Sequence, residues 1–326
     1  MTALPSRGVA DHDLPWTAEP VPAGTVRLLV TVLVAMLAVA ASVASVAGLL
    51  TGGGHGRQVT ETSRGVLVTL YGEGLYAADT LLVGAGNRGQ DVVMLAVEVG
   101  ALVAALAWCR RGSLTGTVVL AGVLSFFTYY YVSMVFAAAQ NRLFPVYVLA
   151  MGLALASLVR VLAYAVPRAA ELQLPGRPGR RVLVTYLAAV ALALTAAWLP
   201  GLLAVSLDGD IAAHVGPYTS AATEAVDLAV VVPLAVLAAV LMHRGAPLGG
   251  LLTLLVLVLN VCIGVLLMGQ GVAQLLLDVP LTPAEIAGKM ATFTVLTFMA
   301  GGLLVRMALQ ARRQPTRQPG PTGAIR

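Results

Sequence analysis

Residues 91–112 read DVVMLAVEVGALVAALAWCRRG. At 1.5 Å per residue the apolar part of this stretch is long enough to carry a helix across a hydrocarbon core of roughly 30 Å. Arg110 and Arg111 in its last turn and Gly112 just beyond are helix stop signals. One carboxylate, Glu98, is set inside it. A second version, VDLAVVVPLAVLAAVLMHRG, ends at Arg244 and Gly245, and each copy is followed by another long apolar run. That recurrence predicts an all-α fold, a polytopic transmembrane helical bundle.

Composition agrees. Of 326 residues, 59% are hydrophobic and only 11% charged, and mean hydropathy is positive, which excludes an ordinary soluble domain. The net charge of +5 comes from basic residues scattered beside apolar runs, without the aromatic-interleaved patch of a nucleic-acid binder. The expected partners are the lipid bilayer and a solute or protein of unknown identity, with no nucleic acid. Cys109 lies at a helix end and Cys262 deep inside another run, so their depths differ by roughly 20 Å. A disulfide needs Cα atoms within about 7 Å, and two free thiols are expected.

Eight spanning helices are read from the apolar runs, at 26–50, 91–108, 114–137, 144–166, 182–205, 226–242, 248–268 and 290–308. Residues 1–25 and 310–326 are polar, proline-bearing tails. A small-residue site such as Ser42-Val43-Ala44 would suit a signal peptidase. The long acidic segment before the first run, with Asp11, Asp13 and Glu19, argues for an uncleaved first helix instead. The loop 51–90 opens with TGGGHG, which lacks the lysine of a phosphate-binding loop and reads as flexible linker. Within it Leu67, Leu70, Gly74, Ala78 and Leu81 form a helical stripe, opposite Tyr76 and Asp79, suited to a helix in the membrane interface.

Basic residues set the orientation. Arg110, Arg111, Arg168, Arg177, Arg180, Arg181, Arg244, Arg312, Arg313 and Arg317 all fall on one side if the helices alternate. That side is taken as cytoplasmic, which puts both termini there in a cell-membrane protein. Arg57, Arg64 and Arg88 fall on the other side, in a long loop of the kind that obeys the rule poorly.

Superposing Arg111-Gly112 on Arg244-Gly245 also superposes Gly116 on Gly249. Residues 26–166 and 182–309 then form two four-helix halves joined by a linker at 167–181, as in transporters built from parallel repeats. Asp91 and Asp227 do not fall in that register.

The segments YGEGLYAADTLLVGAGNRGQD, CRRGSLTG and YYYVSMVFAAAQNRLFPVYV resemble an uncharacterised family of multi-pass bacterial integral membrane proteins. The later VDLAVVVPLAVL and HRGAPLG are similar to the second half of that family. The resemblance implies a shared membrane fold and brings no activity with it.

Chemistry must therefore come from polar residues in or beside the bilayer. Glu98 lies roughly 10 Å below the outer end of a helix starting near Asp91, where an ionised acid costs about 2.5–3.5 kcal/mol. It must face the bundle, either as a proton or cation site or as a protonated, hydrogen-bonded structural acid. Tyr129 comes from a triplet that would suit an interfacial belt, but Ser125, Tyr129 and Ser133 share a helix face. Depth and antiparallel pairing make Tyr129 the expected partner of Glu98. Asn260 is expected at a similar depth, as interhelical glue or as a third member of the site. Asp79, Asp91, Asn141, Arg142 and Asp227 are candidate outer-face polar residues. Arg142 would complement Asp91 or an anionic solute, and Asp227 with Asp208, Asp210 and Glu224 would gather a cation.

Histidines are scattered over tails and loops, no HExxH or GxSxG occurs, and no cofactor, metal or catalytic residue is expected. An enzyme is the weaker reading. The favoured one is a small-solute or ion transporter with an intramembrane acid. The alternative is a non-transporting sensor or scaffold that binds a partner through its outer loops.

Overall fold

The computed structural model describes residues 23–282 and 290–313. Among these, eight helices are long and apolar enough to cross a membrane, and the protein is a multi-pass helical bundle. In chain order they are α1 (Ala23–Leu50), α2 (Leu81–Arg110), α3 (Leu114–Phe136), α4 (Phe144–Ala165), α5 (Arg177–Asp208), α6 (Ala222–Arg244), α7 (Pro247–Leu276) and α8 (Thr292–Arg313). The proposed tails, with Arg317, lie outside the described residues except at their inner ends. Both cysteines are free thiols.

Local chemistry sets the helix ends. Ser113 and Thr80 accept hydrogen bonds from the backbone N–H of Gly116 and Val83 at 3.1 and 3.3 Å, capping α3 and α2. Gly209 and Gly245 take φ of 75° and 71°, the left-handed turn that satisfies the last carbonyls of α5 and α6.

The loop after α1 is shorter and more ordered than the sequence suggests. α2 begins at Leu81, because the polar residues that made 81–90 look like a loop find partners inside the bundle. The Gln90 amide donates to Gln270 at 2.6 Å, Gln274 donates to the Leu82 carbonyl at 2.9 Å, and Arg88 reaches the Leu49 carbonyl at 3.4 Å. The expected interfacial helix is absent. Leu67–Leu70 is instead a strand, β2, paired antiparallel with β1 (Gln58–Glu61), with Gln58 opposite Leu70. A single 3₁₀ turn follows at Gly74–Tyr76. Nor is the glycine-rich stretch a free linker: Gly53 accepts from the Gly74 N–H at 2.6 Å, and Gly56 donates to Gly72 at 3.2 Å.

Together these segments form a cap over one end of the bundle, here called the hairpin face. Arg64 in the hairpin turn donates to the carbonyls of Gly216 and Tyr218, and Arg57 donates to that of Leu277. The α2–α3, α4–α5 and α6–α7 connections lie at the opposite, linker face.

α3 and α7 are the most buried spans and pack against each other at the centre. Around α3, the helices α1, α2 and α4 close a ring; around α7, α5, α6 and α8 do so more loosely, because α5 and α8 touch far less than α1 and α4. One offset, the one that superposes Gly112 on Gly245, also relates two breaks in helical winding. Both α2 and α6 open into a π-turn, at Met94–Glu98 and Asp227–Val231. The same offset relates two close crossings: a Cβ on Gly116 would lie 2.9 Å from the Trp108 carbonyl carbon, and one on Gly249 would lie 2.5 Å from that of Leu241. Gly122 packs on Leu255, its own counterpart in that register.

α2 and α7 approach through Gly86, Gly89 and Gly269, where small residues let backbones meet. A Cβ on Gly89 would sit 2.3 Å from the Gly269 carbonyl oxygen. Gly89→Ala should therefore lower stability by about 1 kcal/mol. Overpacking of about 1–3 kcal/mol is partly offset by the roughly 1 kcal/mol that alanine gains in a helix. Thermal unfolding in detergent measures the net effect.

Candidate functional site

Among the described residues four acids are buried, and each is met by groups from other segments. Asp79, one residue before the α2 cap, accepts the Ala139 N–H at 2.7 Å and the Tyr218 hydroxyl at 3.1 Å. It is fully buried, and burial raises its carboxyl to about 6, although both donors pull it down. Asp91 on α2 accepts the Tyr76 hydroxyl at 2.7 Å, with Ser45 beside it and Arg88 within electrostatic reach. Arg142 is exposed and does not meet Asp91. Asn141 donates to the Tyr147 hydroxyl at 3.4 Å and accepts the Leu143 N–H at 2.9 Å, which stiffens the α3–α4 turn. Asp79 and Asp91, read from sequence as outer-face residues, are thus internal braces that hold the cap.

Glu98 and Tyr129 do not form the expected pair. With α2 starting at Leu81, Glu98 lies about 26 Å along the axis from that end. Its neighbour is the buried Cys262 thiol of α7, and its Oε2 has no partner among the described residues. The Tyr129 hydroxyl turns instead to Asp227 on α6. The two contacts are related by the same offset in sequence: Tyr129 and Cys262 correspond in it, Tyr129 meeting an acid of α6 and Cys262 one of α2. Ser125 and Ser133 donate to carbonyls of their own helix at 2.8 and 3.1 Å and recruit no neighbour.

Asp227 is the acid that faces open space. A cavity of about 580 Å³ lies between α3, α5, α6, α7 and α8, with the first turns of α2 at its rim. Asp227 is buried in its wall, where Trp198 Nε1 of α5 donates to Oδ2 at 2.8 Å. The π-turn that starts at Asp227 shifts the winding of α6 at this point, a feature frequent at functional sites. Among the described lining residues Asp227 is the one charged side chain. Asn87, 94% buried at 6% exposure, also lines the cavity, and its amide nitrogen has no partner among the described residues.

The cavity ends near the middle of the bundle. Its lining on α3, α5, α6 and α7 comes from the hairpin-side part of each helix. At its floor the Asn260 amide donates to the Tyr186 hydroxyl at 3.0 Å, and Tyr186 donates to the Leu296 carbonyl at 3.2 Å. This chain ties α7, α5 and α8 together. Asn260 is therefore both interhelical glue and cavity wall, while Glu98 lies outside the cavity. Among the described residues no three His, Cys, Asp or Glu side chains gather as metal ligands.

No family model matches the chain, and no curated protein or solved structure is significantly similar to it. The geometry alone carries the functional argument. Sequence reading placed Asp227 among loop acids because it sits close to the end of its apolar run. The one signal that could have moved it inward is the register with the π-turn of α2, which cannot be seen in residue types.

Proposed function

We propose that the protein transports a small solute, and that the blind cavity at the hairpin face is its substrate site. The observation that carries this reading is a pocket reaching about half the bundle, whose described lining residues hold one carboxylate and no other charge, with a hydrogen-bonded floor at Tyr186. A ligand pocket of a few hundred Å³ with few convergent polar groups is the usual form of a small-molecule site. A pocket closed on one side is what alternating access requires of each resting state. In this proposal residues 26–166 and 182–309 are duplicated halves of a bacterial multi-pass protein, of the family its segments resemble, with the site on one side of their junction.

The test is uptake into proteoliposomes across a panel of radiolabelled solutes. Accumulation above protein-free liposomes, lost in Asp227→Asn, supports transport; no accumulation of any solute refutes it.

The orientation proposed puts both termini and the linker face in the cytoplasm, as the arginine distribution asks. α5 runs from Arg177 to Asp208, so single cysteines at Pro178 and Gly209 should react with impermeant reagents from opposite sides of the membrane. Labelling of both from one side rejects the arrangement.

One observation favours the alternative, a sensor or scaffold. The cap is fastened by Arg57, Arg64 and Asp79, yet it leaves Val59 and Leu67 exposed on its hairpin. A partner on that surface with no solute uptake would select it.

A further inference from the structure

The cavity carries more information than its size. We infer that its ligand is a monovalent organic cation, a protonated amine on an apolar body, with Asp227 as the counter-ion. This deepens the transport reading by naming the substrate class of the same site.

Three features lead there. First, charge: Asp227 is the one charged group among the described lining residues, and Glu224, one turn earlier on α6, lies close enough to add negative potential. A carboxylate walled into apolar surroundings with no basic partner among the described residues favours a ligand that brings the positive charge. Second, surface: the wall is chiefly apolar and contains the rings of Tyr129, Tyr130, Trp198 and Phe293, which suit a hydrocarbon body and the face-on approach of a cation. Third, an unused donor: the amide nitrogen of Asn87 has no partner among the described residues, so the site expects an oxygen acceptor from the ligand or an accompanying water.

A bare metal cation fits less well. Calcium takes six to eight oxygen ligands and magnesium a near-ideal octahedron, whereas Asp227 is approached by two donors, the Trp198 N–H and the Tyr129 hydroxyl. An ammonium group needs less. It can approach the remaining lone pairs of the carboxylate without a complete oxygen shell.

The way in is suggested by the looser ring around α7. α5 and α8 both line the cavity but meet sparsely, with the Tyr186 to Leu296 hydrogen bond at the floor. Amphiphilic amines partition into the membrane interface, so a gap between these helices would admit them sideways as well as from the cap.

The test is equilibrium binding to the full-length protein in nanodiscs at pH 7, using 4-phenylbutylamine, its uncharged analogue 4-phenylbutanol and the anion 4-phenylbutyrate. The amine should bind at least tenfold more tightly than the alcohol, and the acid should bind weakest. Asp227→Asn should bring amine and alcohol to within about twofold of each other, while Glu98→Gln leaves the preference intact. Equal binding of amine and alcohol, or preference for the acid, overturns the inference. So does a preference that survives in Asp227→Asn. If that variant does not fold, the wild-type ranking of the three probes still decides the matter. Amine-selective binding without uptake would reject transport and keep the ligand class. Uptake confined to neutral or anionic solutes would do the reverse.

Discussion

Raising the pH from 4.5 to 7.5 should loosen the cap, residues 52–80, and Asp79→Asn should reduce that response, leaving the part carried by Asp91 through Tyr76. Asp79 has no exposed surface, and its Oδ2 has no partner among the described residues. Burial raises its carboxyl from 3.8 to about 6, against the lowering effect of the Ala139 N–H and the Tyr218 hydroxyl. The folded form therefore holds the proton more tightly than the unfolded chain does. Its contribution to stability is complete below about pH 4 and is lost as pH rises through about 6. Between pH 4.5 and 7.5 the loss corresponds to about 2 kcal/mol, on the order of 25-fold in a local opening constant. Two phenols face the carboxyl, Tyr218 and Tyr147. Burial lifts Tyr218 well above the usual phenol range, so it stays protonated throughout the window. Arg64 holds the same loop through backbone carbonyls of Gly216 and Tyr218. The measurement is amide hydrogen exchange of the cap, corrected for the intrinsic pH dependence of exchange. Equal protection at both pH values, or a response undiminished in Asp79→Asn, would contradict the assignment.

The helices were legible because a membrane span needs only length and apolarity, both one-dimensional properties. What escaped was set by partners distant in sequence. Arg88 and Gln90 look like loop residues, and only the arrival of Leu49 and Gln270 makes them tolerable inside a helix. The hairpin has strands of four residues each, too short for alternation to outweigh a helical stripe through Leu67, Leu70 and Gly74. Its glycines were the better clue. Gly72 takes φ of 76°, and a Cβ there would lie 1.6 Å from the Gly56 carbonyl oxygen, so that glycine marks a backbone crossing rather than slack.

The acids show the same limit more sharply. Depth estimates placed Glu98 and Tyr129 level with each other, and levels alone cannot say which neighbour intervenes. α7 packs closely on α2, whereas α6 meets α3 at fewer places. Glu98 is therefore sealed against Cys262, while its crossed counterpart, Asp227 with Tyr129, is left at the edge of a void. Near-equivalent positions in two similar rings thus acquire different chemistry from a difference in packing.

That difference sets the expectation for Glu98→Leu, which should stabilise the protein by about 2 kcal/mol and leave amine binding unchanged. Glu98 is 1% exposed, its Oε2 has no partner among the described residues, and its other neighbour is a thiol, a weak donor. An acid so placed contributes little hydrogen bonding to offset its removal from water, which costs about 1–3 kcal/mol for a poorly satisfied polar group. Leucine has similar bulk and no such penalty, and exchanging buried charged or polar groups for well-packed apolar ones is often stabilising by about 1–4 kcal/mol. Cys262 loses only a weak interaction. Glu98→Gln retains the polarity and should change stability by less than about 1 kcal/mol, which separates the effect of the polar group from that of side-chain shape. The readout is the midpoint of denaturation in mixed micelles, with 4-phenylbutylamine affinity measured on the same preparations. A loss of stability in Glu98→Leu would mean that the carboxyl has a partner strong enough to hold it, and a loss of amine affinity would couple it to the cavity. The second result would move the functional acid back from Asp227 to Glu98.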